Sequence, residues 1–199
     1  NSECTGGIDA FAMGVEEVNP DAKVLVAVTN SWFSPDDEQA ASDALIGKGC
    51  DVLAQHVDTT APQTASEENG TWAIGYNSDM SKETPDATLT SVIWNWSAYY
   101  TSYVNSIVNA TYDGSNYYGG MDESLVGLTG LSSLCEDGTQ EKVNEMQQKI
   151  LSGEFGVFDG EILTNDGTVI GEEGKTLDDA TITGKINWYY HNVEVVDWK

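Results

Sequence analysis

Three short apolar runs, Lys23–Thr29, Asp51–Gln55 and Trp72–Tyr76, constrain the fold of this chain more than any other feature. Each ends in polar or aromatic residues, and helix-forming segments follow: TNSWFSP leads into one, and QHVDTTAP leads into another. Apolar strands that alternate with helices form parallel α/β sheets. Ligands of such sheets bind just beyond the carboxyl ends of the strands. Asn30-Ser31-Trp32-Phe33, His56-Val57-Asp58 and Asn77-Ser78-Asp79 are therefore expected to gather around one cleft. The residues suit a small, polar, flat molecule, and the pattern alone does not point to catalysis.

The chain has 199 residues, enough for one or two domains with a sizeable core. Its formal charge is −25, and all eight basic residues are lysines. A nucleic-acid interface needs a basic face, so that class is excluded, and anionic lipid surfaces are disfavoured for the same reason. Such acidity suits a soluble surface in an extracellular or salty setting. No stretch approaches the length of a membrane span. Cys4, Cys50 and Cys135 include no CxxC pair, so the ligand spacing of zinc and dithiol sites is missing and neither a metal nor a cofactor is expected. Cys50 opens an apolar strand as a small hydrophobe, and a Cys4–Cys135 disulfide is left open.

Ile8, Phe11, Ala12, Val15 and Val18 mark one helical face, stopped by Asn19-Pro20. Pro35 followed by Asp36-Asp37-Glu38 starts a second helix, with acids at the positive end of its dipole. With a helix near Gln63–Asn69, these segments complete a βαβαβ run. Leu89–Ile93 reads as a further strand, and Trp96, Tyr99, Tyr100, Tyr103, Val104, Ile107 and Val108 as a long amphipathic helix. Short strands are expected at Tyr117–Met121 and Ser124–Leu128, and a helix at Thr139–Leu151. A hairpin turning at Asn165-Asp166-Gly167 follows, then a final extended segment Trp188–Val196. The polar link Lys82–Thr88 reads as a crossing between two lobes. The expected division is residues 1–82 as a ligand-binding α/β lobe, 83–153 as the crossing and part of a second lobe, and 154–199 as hairpin and C-terminal segment.

Trp32 and Phe33 lie in a loop, where they can stack on a heterocycle or simply pack the loop itself. Asp58 and Asp79 can each accept hydrogen bonds from a diol or a ring N–H. Asn77 can donate and accept at once, although turn chemistry also explains an asparagine there. Asn30 starts the first loop, and Trp94 and Asn95 lie at the crossing. His56, with Asp58 two residues on and Ser31 or Thr59 near, invites a triad, but no GxSxG elbow is present and His191 is remote in sequence. A hydrogen-bonded structural histidine is the competing reading of His56.

Ile8-Asp9-Ala10-Phe11 through Asn19-Pro20, then NSWFSP, QHVDTTAP, AIGYNSDM, LTSVIWNWSAYY and NYYGGMDESLVGL, resemble in order the basic-membrane-protein family of solute-binding proteins. The resemblance implies a type I periplasmic-binding-protein-like fold of class α/β, with doubly wound parallel sheets in two lobes. Its range implies that the chain corresponds to the C-terminal two-thirds of a member, leaving the N-terminal lobe incomplete. It implies an extracytoplasmic receptor of an ABC importer, at the cell surface or in the periplasm, with a lipid anchor in the full-length form. It also implies a purine base or nucleoside clamped by lobe closure, a membrane permease as partner, and no enzymatic activity. Asn30, Trp32, Phe33, His56, Asp58, Asn77, Asp79, Trp94 and Asn95 are the candidate ligand contacts. The nucleoside-binding branch usually carries a lysine near Trp94, and this chain does not, which favours a free base or another flat ligand. A sugar or other polar solute, or a hydrolase using His56, are the alternatives. A dimer or a separate N-terminal piece would cover elements whose partners are missing.

Overall fold

The computed structural model describes residues 1–199, which form two compact units. In chain order the elements are α1 (Ser2–Val18), β1 (Val24–Val26), α2 (Pro35–Gly47), β2 (Val52–Ala54), α3 (Ala61–Asn69), β3 (Trp72–Asn77) and β4 (Thr88–Trp94). Then come α4 (Trp96–Val108), β5 (Val126–Leu128), α5 (Thr139–Ser152), β6 (Asp159–Leu163), β7 (Val169–Thr176), α6 (Asp179–Gly184) and β8 (Val193–Val195).

The first unit contains Asn1–Val28 and Lys142–Lys199. The Asn1 side chain accepts the Cys4 N–H at 3.1 Å and so caps α1. Gly6 of α1 faces α6 and the residues after it, where a Cβ would sit in ordinary contact, 3.4 Å from the Ile182 carbonyl oxygen and from Ile186 Cδ1. One core cluster joins Ala12, Val26 and Val193, and a second joins Phe158, Ile162 and Ile186. Strand β1 pairs parallel with β8, Val24 facing Val193 and Val26 facing Val195. β6 and β7 form the antiparallel hairpin, whose turn is tied by Asp166 Oδ1 accepting the Thr164 hydroxyl and the Thr168 N–H.

The second unit is Thr29–Glu141. Its sheet has the order β2-β3-β4-β5, parallel across β2, β3 and β4, with β5 antiparallel to β4. Proline in the first turn starts both α2 and α3, where a missing N–H costs nothing, and left-handed Gly70 (φ 68°) ends α3. At Gly75 a Cβ would collide with Ser91 Oγ, so the β3–β4 approach requires glycine there.

Several expectations need correction. The run Lys23–Thr29 does not join the sheet of the other two runs, because β8 takes its edge and Ala12 packs on Val26. Residues 1–82, 83–153 and 154–199 are accordingly not the compact units: the N-terminal helix and strand pack with the C-terminal segment. The Lys82–Thr88 link stays inside the second unit as a tight turn, with Thr84 and Thr88 N–H groups bonded to the Met80 and Thr84 carbonyls, and it delivers β4 to the edge of β3. Tyr117–Met121 is not a strand, since the Gly120 carbonyl and N–H are taken by local bonds to Leu125 and Glu123. All three cysteines are free, so no Cys4–Cys135 disulfide forms. α6, short and polar, had no apolar periodicity to announce it.

Candidate ligand-binding site

In the second unit the carboxyl ends of β2, β3 and β4 bring five of the candidate residues together. Asn77 ends β3 in the left-handed region (φ 66°), a conformation asparagine tolerates. From there its Nδ2 donates to Asp58 Oδ1 at 3.0 Å, and its Oδ1 accepts the Trp94 indole N–H at 2.7 Å. The Asp58 backbone N–H donates to the Trp32 carbonyl at 2.8 Å, so the Trp32 loop joins the same network. His56 meets the edge of Tyr76 at 5.1 Å, and Tyr76 in turn meets Trp94 at 6.5 Å. Trp94 stacks on Trp96 at 6.0 Å.

Trp32 and Phe33 remain 47% and 68% exposed, which leaves their faces available. Their loop is shaped by Ser31, whose hydroxyl accepts the Phe33 N–H at 3.2 Å, and begins at left-handed Asn30 (φ 55°). Beside them a groove of about 610 Å³ is lined by Phe33, Pro35, Asp58, Thr60 and Thr64, where the N-terminal ends of α2 and α3 lie.

Asp79 and Asn95 belong to local structure. Asp79 Oδ1 accepts both the Ser81 hydroxyl and the Ser81 N–H, and those bonds hold its carboxyl below the usual range. It is therefore ionised at neutral pH and exposed, and both of these bonds fall on Oδ1. Asn95 donates to the Ser124 carbonyl at 3.2 Å and accepts from Ser97, closing the start of α4.

The residues beneath the loops did not stand out in the sequence. Gln55 Nε2 donates to the Val57 and Thr59 carbonyls at 2.7 and 2.8 Å, and buried Gln63 donates to Gln55 Oε1. Glu38, 1% exposed, accepts from Ser34 and Thr59. The only sequence signal for Glu38 was its place in an acidic first helical turn. No group of three or more His, Cys, Asp and Glu side chains is arranged to hold a metal.

The sheet end thus offers aromatic faces, carboxylates and amides in one place. Solved structures share this fold. A solute-binding protein of an ABC transporter system from Conexibacter woesei superposes with a TM-score of 0.59 at 18% identity, over 78% of this chain and 62% of that one. A transcriptional activator from Bacillus halodurans gives 0.62 at 18%, over 76% and 64%. The chain belongs to the Bmp family of PnrA-like ABC transporter substrate-binding proteins, whose family model matches residues 2–160. Its fold is type I periplasmic-binding-protein-like. A purine-binding protein of Brucella abortus is 36% identical over 192 residues, 96% of this chain and 54% of that protein. A protein of Haloferax volcanii, named for glucose binding by an ABC transporter, is 32% identical over 79% of this chain and 40% of its own length. The chain spans about half the length of the curated relatives it matches. The family works outside the cytoplasm, and no helix here is long and apolar enough to cross a membrane.

Proposed function

We propose that this chain binds a purine base or nucleoside as part of an ABC import receptor, delivering it to a membrane permease. The observation that carries the reading is the network joining Trp32, Asp58, Asn77 and Trp94, which presents flat aromatic faces beside acceptors for ring N–H groups. Trp32 and Phe33 stack on the ligand, Asp58 and Asp79 accept from it, and Asn30, His56, Asn77, Trp94 and Asn95 line or support the site. The name of the Brucella relative supports a purine. No lysine lies next to Trp94 in the sequence, which favours a free base or another flat ligand over a nucleoside.

The Haloferax relative supports a second reading, a sugar as the solute. A hydrolase built on His56 has no such support, since His56 packs edge-on against Tyr76. Attachment of the full-length protein to the membrane by a lipid belongs to the same proposal. So does a second chain, either another copy or a separate N-terminal piece, seated on α4. That helix carries no charged residue, and Trp96, Tyr100, Val104, Ile107 and Val108 on it are all more than half exposed.

A thermal-shift panel of adenine, hypoxanthine, guanosine, AMP, ribose and glucose tests the ligand class. Stabilisation by a base or guanosine, and none by the sugars, is expected. A shift with glucose alone would replace the purine reading by the sugar one.

A further inference from the structure

We propose that Glu38 is the positioning residue that joins the Trp32–Phe33 loop and the Asp58 loop into one rigid ligand platform. The inference rests on the reading that these loops bind ligand, but its first test does not.

Glu38 sits in the first turns of α2 with only 1% of its surface exposed. One carboxylate oxygen accepts the Ser34 backbone N–H at 2.7 Å, at the end of the loop that carries Trp32 and Phe33. The other accepts the Thr59 hydroxyl, next to Asp58. The same hydroxyl accepts the Ala61 N–H at 3.1 Å, at the start of α3. One buried carboxylate thus ties the entry of α2 to the entry of α3, and each entry carries a candidate ligand loop.

A buried carboxylate with no cation beside it is costly, and hydrogen bonds and dipoles must compensate. Two charge-assisted bonds and the positive end of α2 do so here. An ordinary helix cap needs only the Ser34 contact. The second bond, to a residue 21 positions away, is what couples the loops. Gln55 and Gln63 brace the Asp58 loop from below, while the Glu38 side chain bonds to the ends of both loops. The backbone bond from Asp58 to Trp32 joins the same two loops at 2.8 Å.

The test is peptide-resolved hydrogen exchange on the 199-residue chain with Glu38→Met, Glu38→Gln and Thr59→Val. Methionine keeps the volume and loses both bonds. Glutamine can accept from Ser34 and donate to the Thr59 oxygen. Glu38→Met should speed exchange in residues 31–34 and 56–60 by about tenfold or more, while β3 is unchanged, and Glu38→Gln should stay within about threefold of wild type. Thr59→Val should speed residues 31–34 although its side chain bonds to nothing in that segment. Exchange raised equally throughout the second unit, or residues 31–34 untouched by Thr59→Val, overturns the proposal. If Glu38→Met fails to fold, the Thr59→Val result still decides. In a second arm, adenine and hypoxanthine are titrated by calorimetry. Affinity should fall about tenfold in Glu38→Met and be restored in Glu38→Gln. If wild type binds neither base, the free-base reading fails, while the exchange data still judge the coupling.

Discussion

Replacing Asp9 by asparagine should remove a pH dependence of stability that the wild-type first unit carries between about pH 4 and 7. Asp9 lies on α1 and is fully buried. Its Oδ1 accepts the Tyr190 N–H at 2.8 Å, while Oδ2 has no partner. Burial pushes its carboxyl up to about 7, against a partial pull downward from the Tyr190 N–H. A carboxyl whose pKa is raised on folding prefers the folded state when neutral. Its contribution is therefore fully present below about pH 4 and is lost as pH rises through about 7. A shift of about three units is worth about 4 kcal/mol at most, large against a typical domain stability of about 5–15 kcal/mol. Asparagine keeps an oxygen for Tyr190 and never ionises. Its unpaired amide adds an offset that does not vary with pH. Urea unfolding of both proteins from pH 4 to 8, taken as the difference, cancels the remaining carboxylates. Wild-type stability should fall relative to the variant across that range. A difference that stays flat within about 0.5 kcal/mol, or a wild-type stability that rises relative to the variant as pH rises, would refute the assignment of a buried, destabilised carboxylate.

Trp32→Ala should cost roughly 1–3 kcal/mol of affinity for a stacking base without lowering the melting temperature, because the ring is half exposed. Unchanged affinity in both Trp32→Ala and Phe33→Ala, measured by calorimetry, removes the stacking role. Asp79→Ala should lower affinity about tenfold while loosening the Ser81 turn only locally. A variant that melts early yet binds normally marks Asp79 as structural. On α4, Tyr100→Glu with Ile107→Glu should abolish self-association seen by light scattering, and a wild-type chain that is monomeric at every concentration rules out a second copy on that face.

What was legible in the sequence was local. Prolines at the starts of α2 and α3, the glycine after α3, and the short apolar runs announce the elements of the second unit at nearly their observed bounds. The partner of β1 could not be read, because nothing near Val24 signals that a strand at Val193 will take its edge. The face of α1 was misread in part: the apolar periodicity includes Val18, which is 75% exposed, while Asp9 is buried with Gly6 and Ala12. The Tyr190 N–H and the contact of Gly6 with α6 turn the helix that way, and both come from distant chain. At the site, the residue types were readable but their division of labour was not. Asn77 looked like a ligand contact, and its side chain is already engaged by Asp58 and Trp94. Glu38 read only as one of three acids at a helix start and is buried.

Charge gives the site its selectivity under the proposed function. The chain carries −25 with no arginine, and the polar groups at the sheet end are carboxylates and amides, with Lys82 the cation near Asp79. A phosphate brought to about 4 Å from one carboxylate meets about 1 kcal/mol of repulsion per charge pair in bulk water, and about 4 kcal/mol at the effective dielectric of a protein surface. A neutral base meets none of this and brings N–H donors that the same carboxylates accept. Screening at physiological salt reaches across about 8 Å, so it weakens the distant charges and spares the close pairs. The acidic surface and the acidic site therefore act in the same sense. On the proposed function both should disfavour a nucleotide, and stacking and ring N–H contacts at the site should separate a base from a sugar. AMP thus belongs among the silent members of the thermal-shift panel, and a shift with AMP as large as with adenine would mean that the ligand's phosphate lies away from Asp58 and Asp79.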